Sequence, residues 1–154
     1  MAKPQKITGL NPKRSFRENA CIILPQKVEE VYSWEQFIRD PARREELHNM
    51  RISVKRLRYT MEFFAVNYGK HFSDFLETII ELQDILGDIH DIDVVLEVLT
   101  NYKENLQPAE LSGVDVLIER TSETRNSDYQ AFLEKWEQLS VTDFKQKLLA
   151  FITS

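Results

Sequence analysis

An all-α fold is predicted by three features of this 154-residue sequence. Apolar residues recur at intervals of three and four rather than two. Four glycines and five prolines leave little material for a turn-rich β architecture. Helix start and stop signals, Asp40-Pro41 and Gly69 among them, fall at the ends of the periodic stretches. Short links between four long periodic stretches predict an antiparallel four-helix bundle with a short extra C-terminal helix. One such unit is expected over 12–154, behind a flexible basic arm over 1–11.

The arm carries Pro4, Gly9 and Asn11 and no sustained period. A first helix is expected from about Pro12 to Arg39, with Phe16, Ala20, Ile23, Lys27, Val31, Trp34 and Ile38 on one face. Pro25 removes a backbone donor and crowds the preceding turn, so a kink or break is expected there. Asp40-Pro41 supplies an N-cap and a proline at the first helical position. The second helix is expected from Pro41 to Tyr68, with Gly69 as its C′ residue. A third opens at Phe72 or Ser73 and runs to about Asn101, with Phe75, Ile79, Leu82, Leu86, Ile89 and Leu96 apolar. Gly87 inside it costs about 1 kcal/mol relative to alanine, which predicts a close approach by a neighbouring helix. Gln107-Pro108 and Ser112-Gly113 punctuate a connection to a fourth helix over Val114 to Leu139. Leu117, Ile118, Tyr129, Phe132, Leu133 and Trp136 are its expected core residues. Thr142 is expected to cap the last helix, through Phe144, Leu148 and Phe151.

Hydrophobic residues at 42% and charged ones at 29% are ordinary for a soluble globular chain. A net charge of −5 excludes a molecule that binds polyanions over its whole surface. The single cysteine, Cys21, demands no oxidising compartment. No run of about 18 apolar residues suits a membrane span, and no apolar signal-peptide core precedes the domain. Cytoplasmic location is expected.

Positive charge is nevertheless concentrated. Arg44, His48, Arg51, Lys55 and Arg58 are spaced four, three, four and three, which puts all five within a helical sector of roughly 80°. Leu47, Met50, Val54, Leu57, Met61, Phe64, Ala65 and Tyr68 form a second stripe turned roughly 110° from it. Like charges one turn apart repel by a few tenths of a kcal/mol per pair, so the cationic row asks for an opposing negative group. One candidate lies in the chain itself. Glu77, Glu81, Asp84, Asp88 and Asp91 repeat the same spacing on the third helix, and two antiparallel helices would let the rows face each other. Exposed pairs of that kind contribute about 0–1 kcal/mol each. The other candidate is an anionic ligand. Arg56 points off the stripe, and the arm and first helix bring Lys3, Lys6, Lys13, Arg14 and Arg17 with no acid among the first 17 residues.

Leu47–Phe64, LHNMRISVKRLRYTMEFF, followed by Leu82–Leu99, LQDILGDIHDIDVVLEVL, resembles the CHAD family, the conserved histidine α-helical domain. The paired motifs are a His, two residues, an Arg and a K/R-R-L-R cluster on one helix, then L-Q-D-x-L-G-x-x-x-D on the next. The resemblance is firm over 40–101 and fainter over 12–39 and 114–151. It implies a helical domain that binds inorganic polyphosphate through a basic surface without being an enzyme. It also implies that His48, Arg51, Lys55, Arg56 and Arg58 are the ligand set, that Asp84 and Asp91 support them, and that Arg14 and Arg17 correspond to first-helix basic residues. Family members usually carry the unit twice, and this chain resembles a single half, the second. A C2 homodimer is therefore expected, rebuilding a two-sided groove.

The expected site is thus Arg51, Lys55, Arg56 and Arg58, with His48 titratable, Arg44, Arg14 and Arg17 as a rim, and Asp84, Asp88 and Asp91 as orienting acids. No metal site is expected. His48 has no second ligand at metal spacing on its helix, and Asp88, Asp91 and Asp93 near His90 read as solvated or ion-paired. His71 and His90 read as surface or capping residues, Trp34 and Trp136 as core. No phosphate-binding glycine loop, dinucleotide fingerprint or nucleophile elbow occurs, and Ser53 near His48 forms no triad pattern, so no enzymatic activity and no cofactor are expected. Nucleic acid is the runner-up ligand, disfavoured by the acidic net charge and by a basic stripe with only Tyr59 at its edge. A protein–protein scaffold with purely structural charge stripes is the third reading. With a polyphosphate ligand, association with polyphosphate granules is one expected setting.

Overall fold

The computed structural model describes residues 2–154. Among them the chain forms five α-helices and no strand, as the apolar spacing predicts. These are α1 (Phe16–Tyr32), α2 (Arg44–Phe64), α3 (Lys70–Lys103), α4 (Leu111–Val141) and α5 (Phe144–Thr153). Short 3-10 turns at Glu35–Phe37, Ala65–Asn67 and Pro108–Glu110 join them.

Cross-helix contacts join the helices at named points. Phe16, at the start of α1, packs on Phe63 and Phe64 at the end of α2. Arg44 at the start of α2 reaches Asp93, late in α3. Early in α3, Glu81 pairs with Lys135 at 2.6 Å, while Lys103 at its end pairs with Asp115 at 2.6 Å. From α1 to α4, these contacts join the start of one helix to the late part of its neighbour. Tyr32 meets Trp136 with ring centroids 4.9 Å apart, linking α1 to α4. The Cys21 thiol donates to the Ile152 carbonyl, tying α1 to α5. Met50, Val54, Met61, Phe132, Leu148 and Ile152 have no exposed surface and mark the core.

Several boundaries differ from expectation. α1 starts at Phe16, because the Ser15 side chain accepts from the Glu18 amide while Glu18 accepts from the Ser15 amide. Pro25 lies inside α1 without breaking it. Burial of Leu24, Val28 and Val31 on both sides holds the turn that the missing amide weakens. Asp40 does not cap α2. Its carboxylate closes a turn onto the Ala42 amide, and helix begins only at Arg44. Gly69 does not end α2 as a left-handed C′ residue. It is extended, with φ −81° and ψ −169°, and occupies the N-cap of α3. Ser112-Gly113 lies inside α4 rather than in a connection, and Leu117 is half-exposed rather than core. Thr142 closes α4, and Asp143 makes the left-handed corner (φ 56°) into α5.

The arm, expected to be flexible, is docked. The Ala2 amide donates to Asn49 Oδ1, and Arg56 donates to the Ala2 carbonyl. Thr8 and Gln26 exchange hydrogen bonds through the Thr8 amide and carbonyl. Gly9 has φ +82°, and a Cβ there would meet Ile22 at 3.4 Å, so glycine shapes the bend.

Candidate functional site

The buried stripe of α2, from Leu47 through Met50, Val54, Leu57 and Met61 to Phe64, anchors the helix on its neighbours. That anchoring turns Arg44, His48, Arg51, Lys55 and Arg58 toward the seam with α3 and the solvent beside it. Gly87 makes room at the seam. A Cβ there would lie 3.8 Å from Arg51 Nε, so the close approach predicted for this glycine is made by an arginine side chain.

The cations differ in how far they are already satisfied. Lys55 is exposed, has no carboxylate within ion-pair distance among the described residues and lies 5.8 Å from the Tyr59 ring centre. Arg51 has no ion-pair partner among the described residues, and its Nε is sealed from solvent without an acceptor. Arg58 is clipped to Glu62 at 2.9 Å, a hydrogen bond that raises its pKa further. Arg44 leans on Asp93 at 3.5 Å and remains half-exposed. Arg14 is exposed, one residue before the cap of α1.

Two expected ligands are committed elsewhere. Arg56 faces α1, where it pairs with buried Glu30 at 3.0 Å, and Glu30 also holds Lys27 at 3.2 Å. Arg17 donates to the carbonyls of Asn67 and Ser154 at 2.7 and 2.8 Å and lies over the Tyr68 ring. Both cations stitch the fold together and have little left for a ligand.

The acidic row does not neutralise the basic one. Asp84, Asp88 and Asp91 are exposed and form no ion pair among the described residues, and Glu81 turns to Lys135 on α4. Among the described residues the single α2–α3 ion pair is Arg44 to Asp93. Asp84 still lies close enough to Arg58 to favour its charge.

At the N-terminal end of the row, the imidazoles of His48 and His90 stack with centroids 4.1 Å apart and planes at 21°. His90 is therefore part of the seam, not a surface or capping residue. His48 Nδ1 is sealed from solvent without a partner, which suits a neutral ring with its proton on Nε2. Burial first, then His90 and Arg51, hold the His48 pKa below the usual histidine value. Beside the stack an open groove of about 430 Å³ is lined by Arg44, Glu45, His48, His90, Asp93 and Glu97 on its charged side. Val94, Leu96, Thr100 and Asn101 complete it.

Sequence reasoning missed Arg125, whereas Asp93, read as solvated or ion-paired, is ion-paired. Arg125 is 3% exposed, pairs with Asp93 at 3.0 Å and donates to the Pro41 carbonyl at 3.2 Å. The signal was present. Asp93 continues the buried line Leu82, Leu86, Ile89 of α3, and Arg125 continues the line Tyr129, Phe132, Trp136 of α4. Charges at core positions of two facing helices require each other. Ser53, near His48 in sequence, is fully buried, accepts from Trp34 Nε1 and donates to the Asn49 carbonyl. Trp34 is thus only partly buried, whereas Trp136 is core.

Fold and face define a helical domain that carries an incompletely neutralised row of cations along one helix. The sequence model of the CHAD domain matches residues 11–100, 90 of the 154 residues, and the chain belongs to the CHAD domain family. The match includes α1, α2 and most of α3, and with them both charge rows. No curated protein and no solved structure matches the chain.

Proposed function

We propose that this protein binds inorganic polyphosphate along the outer face of α2. The supporting observation is the open valence of the row: among the described residues Arg51 and Lys55 lack acids within ion-pair distance, although α3 carries several carboxylates. Arg44, His48, Arg51, Lys55 and Arg58 succeed one another along about 21 Å of helix, since each residue adds about 1.5 Å. A linear polyanion follows such a row without branching. Arginine forks grip pairs of phosphate oxygens and lysine supplies a point charge. Arg14 extends the row beyond Arg58, because α1 begins where α2 ends. Asp84, Asp88 and Asp91 bound the row on the α3 side and limit repulsion among its cations.

The reading is of a binding module without catalysis, built as an antiparallel helical bundle in which α5 lies along α1, from Lys145 beside Glu29 to Ile152 beside Cys21. A two-fold pair of chains would set two such rows around one ligand, and a sedimentation mass of one chain at working concentration would exclude that pairing. Cytoplasmic polyphosphate, in granules or dispersed, is the expected setting.

The test is a calorimetric titration with polyphosphate of defined length at two salt concentrations, with a length-matched DNA strand as control. Tight, salt-sensitive binding that grows with chain length and exceeds that of DNA is the expected result. Absence of binding would return the charged rows to a structural role.

A further inference from the structure

The groove at the head of the row differs in character from the row itself. Its charged lining sets one arginine, Arg44, against three carboxylates, Glu45, Asp93 and Glu97. Glu45 and Glu97 have no ion-pair partner among the described residues. A bare phosphate chain gains nothing from entering such a place. The remaining walls are Val94, Leu96 and the stacked imidazoles, with the hydroxyl and amide of Thr100 and Asn101 beside them. A volume of about 430 Å³ lies in the range of small-molecule sites, which combine apolar walls with a few oriented polar groups. Carboxylates that lack cations accept hydrogen bonds from hydroxyl and amino groups.

We propose that this groove holds the nucleoside end of a nucleoside polyphosphate whose phosphate tail runs onto Arg44, Arg51 and Lys55. The base lies against Val94 and the His48–His90 stack, Asn101 reads its edge, and Glu97 accepts from the sugar hydroxyls. A neutral His48 serves this role, since its ring face then carries no charge that must be desolvated. The inference rests on the polyphosphate reading of the row and adds a specificity that inorganic chains cannot meet. The same α2 row then serves two ligand types that share a phosphate chain and differ in its end group.

The test titrates the full-length protein with inorganic tripolyphosphate, ATP and 2′-deoxy-ATP in one buffer. ATP is expected to bind about tenfold more tightly than tripolyphosphate, the worth of one or two added hydrogen bonds. The deoxy analogue should lose part of that gain. The charge-neutral double substitution Val94→Ser with Asn101→Ala should abolish the preference and leave tripolyphosphate affinity within about twofold. Tripolyphosphate binding with no preference for ATP overturns the nucleoside site and leaves the polyphosphate reading standing. Failure of every ligand overturns both.

Discussion

His48 and His90 stack face to face at 4.1 Å, one imidazole from α2 and one from α3, at the junction of the cationic row and the groove. Neither ring has a carboxylate within ion-pair distance among the described residues, and Arg51 stands one turn from His48. His48 therefore joins the stack in its uncharged form.

This sets the sign of a pH dependence. The folded-state pKa of His48 lies below its unfolded value of 6.5. Its contribution to stability is present above that value and is lost as pH falls from there through the folded pKa. Thermal midpoints should drop as pH falls below 6.5, and His48→Gln should flatten the drop. Polyphosphate affinity should move the other way, because a bound anion favours the charged ring. Proton uptake on binding, measured by calorimetry in buffers of different ionisation enthalpy, checks this.

Reversing charge at the two least satisfied cations is the most direct probe of the row. Arg51→Glu with Lys55→Glu should reduce polyphosphate affinity at least about a hundredfold, given about 1.5–3 kcal/mol for each charge-assisted contact. The circular dichroism spectrum should keep its helical signal. Affinity within about twofold of the parent would remove this face from consideration.

Arg56 should behave in the opposite way. Arg56→Ala leaves Glu30, 3% exposed, with Lys27 as its remaining partner and releases the Ala2 carbonyl. A loss of about 2–3 kcal/mol in denaturant unfolding is expected, below the full cost of orphaning a buried charge because Lys27 remains. Polyphosphate affinity of the folded fraction should change little.

Gly87 separates space from helix propensity. Gly87→Ala places its Cβ 3.8 Å from Arg51 Nε, an ordinary contact, so it should stabilise α3 by about 0.5–1 kcal/mol. Gly87→Leu should push the Arg51 side chain from its position and weaken polyphosphate binding more than it alters the unfolding midpoint. Equal effects of both substitutions on binding would show that Arg51 does not depend on this gap.

Arg125→Ala should destabilise by about 2–3 kcal/mol, below the full cost of orphaning a buried charge because Arg44 still reaches Asp93. The freed carboxylate would draw Arg44 away from the groove. Asp93→Asn in the same background should recover part of the loss, and urea unfolding of the single and double variants measures how much.

The sequence by itself determined the helices and the two charge rows, because spacing of three and four is a local property that any helix converts into a face. The stripe from Leu47 to Phe64 is buried as its period requires, and the row from Arg44 to Arg58 lies beside it. The same logic carried the family resemblance, whose motifs are written on α2 and α3. What the sequence left open was which charges meet. Arg51 and Arg56 look alike in the chain, yet one faces a glycine gap on α3 and the other closes on Glu30 of α1. Spacing gives an angle around one helix axis, whereas an ion pair needs the distance between two axes and their offset along each other. That offset is set by packing of side chains such as Met50, Leu86 and Trp136, and it passes over Asp84, Asp88 and Asp91 to bring Asp93 to Arg44 and Arg125. Helix ends were decided in the same way. Gly69 caps the start of α3 and Pro25 rides within α1 because tertiary burial on either side outweighs the local preference of one residue.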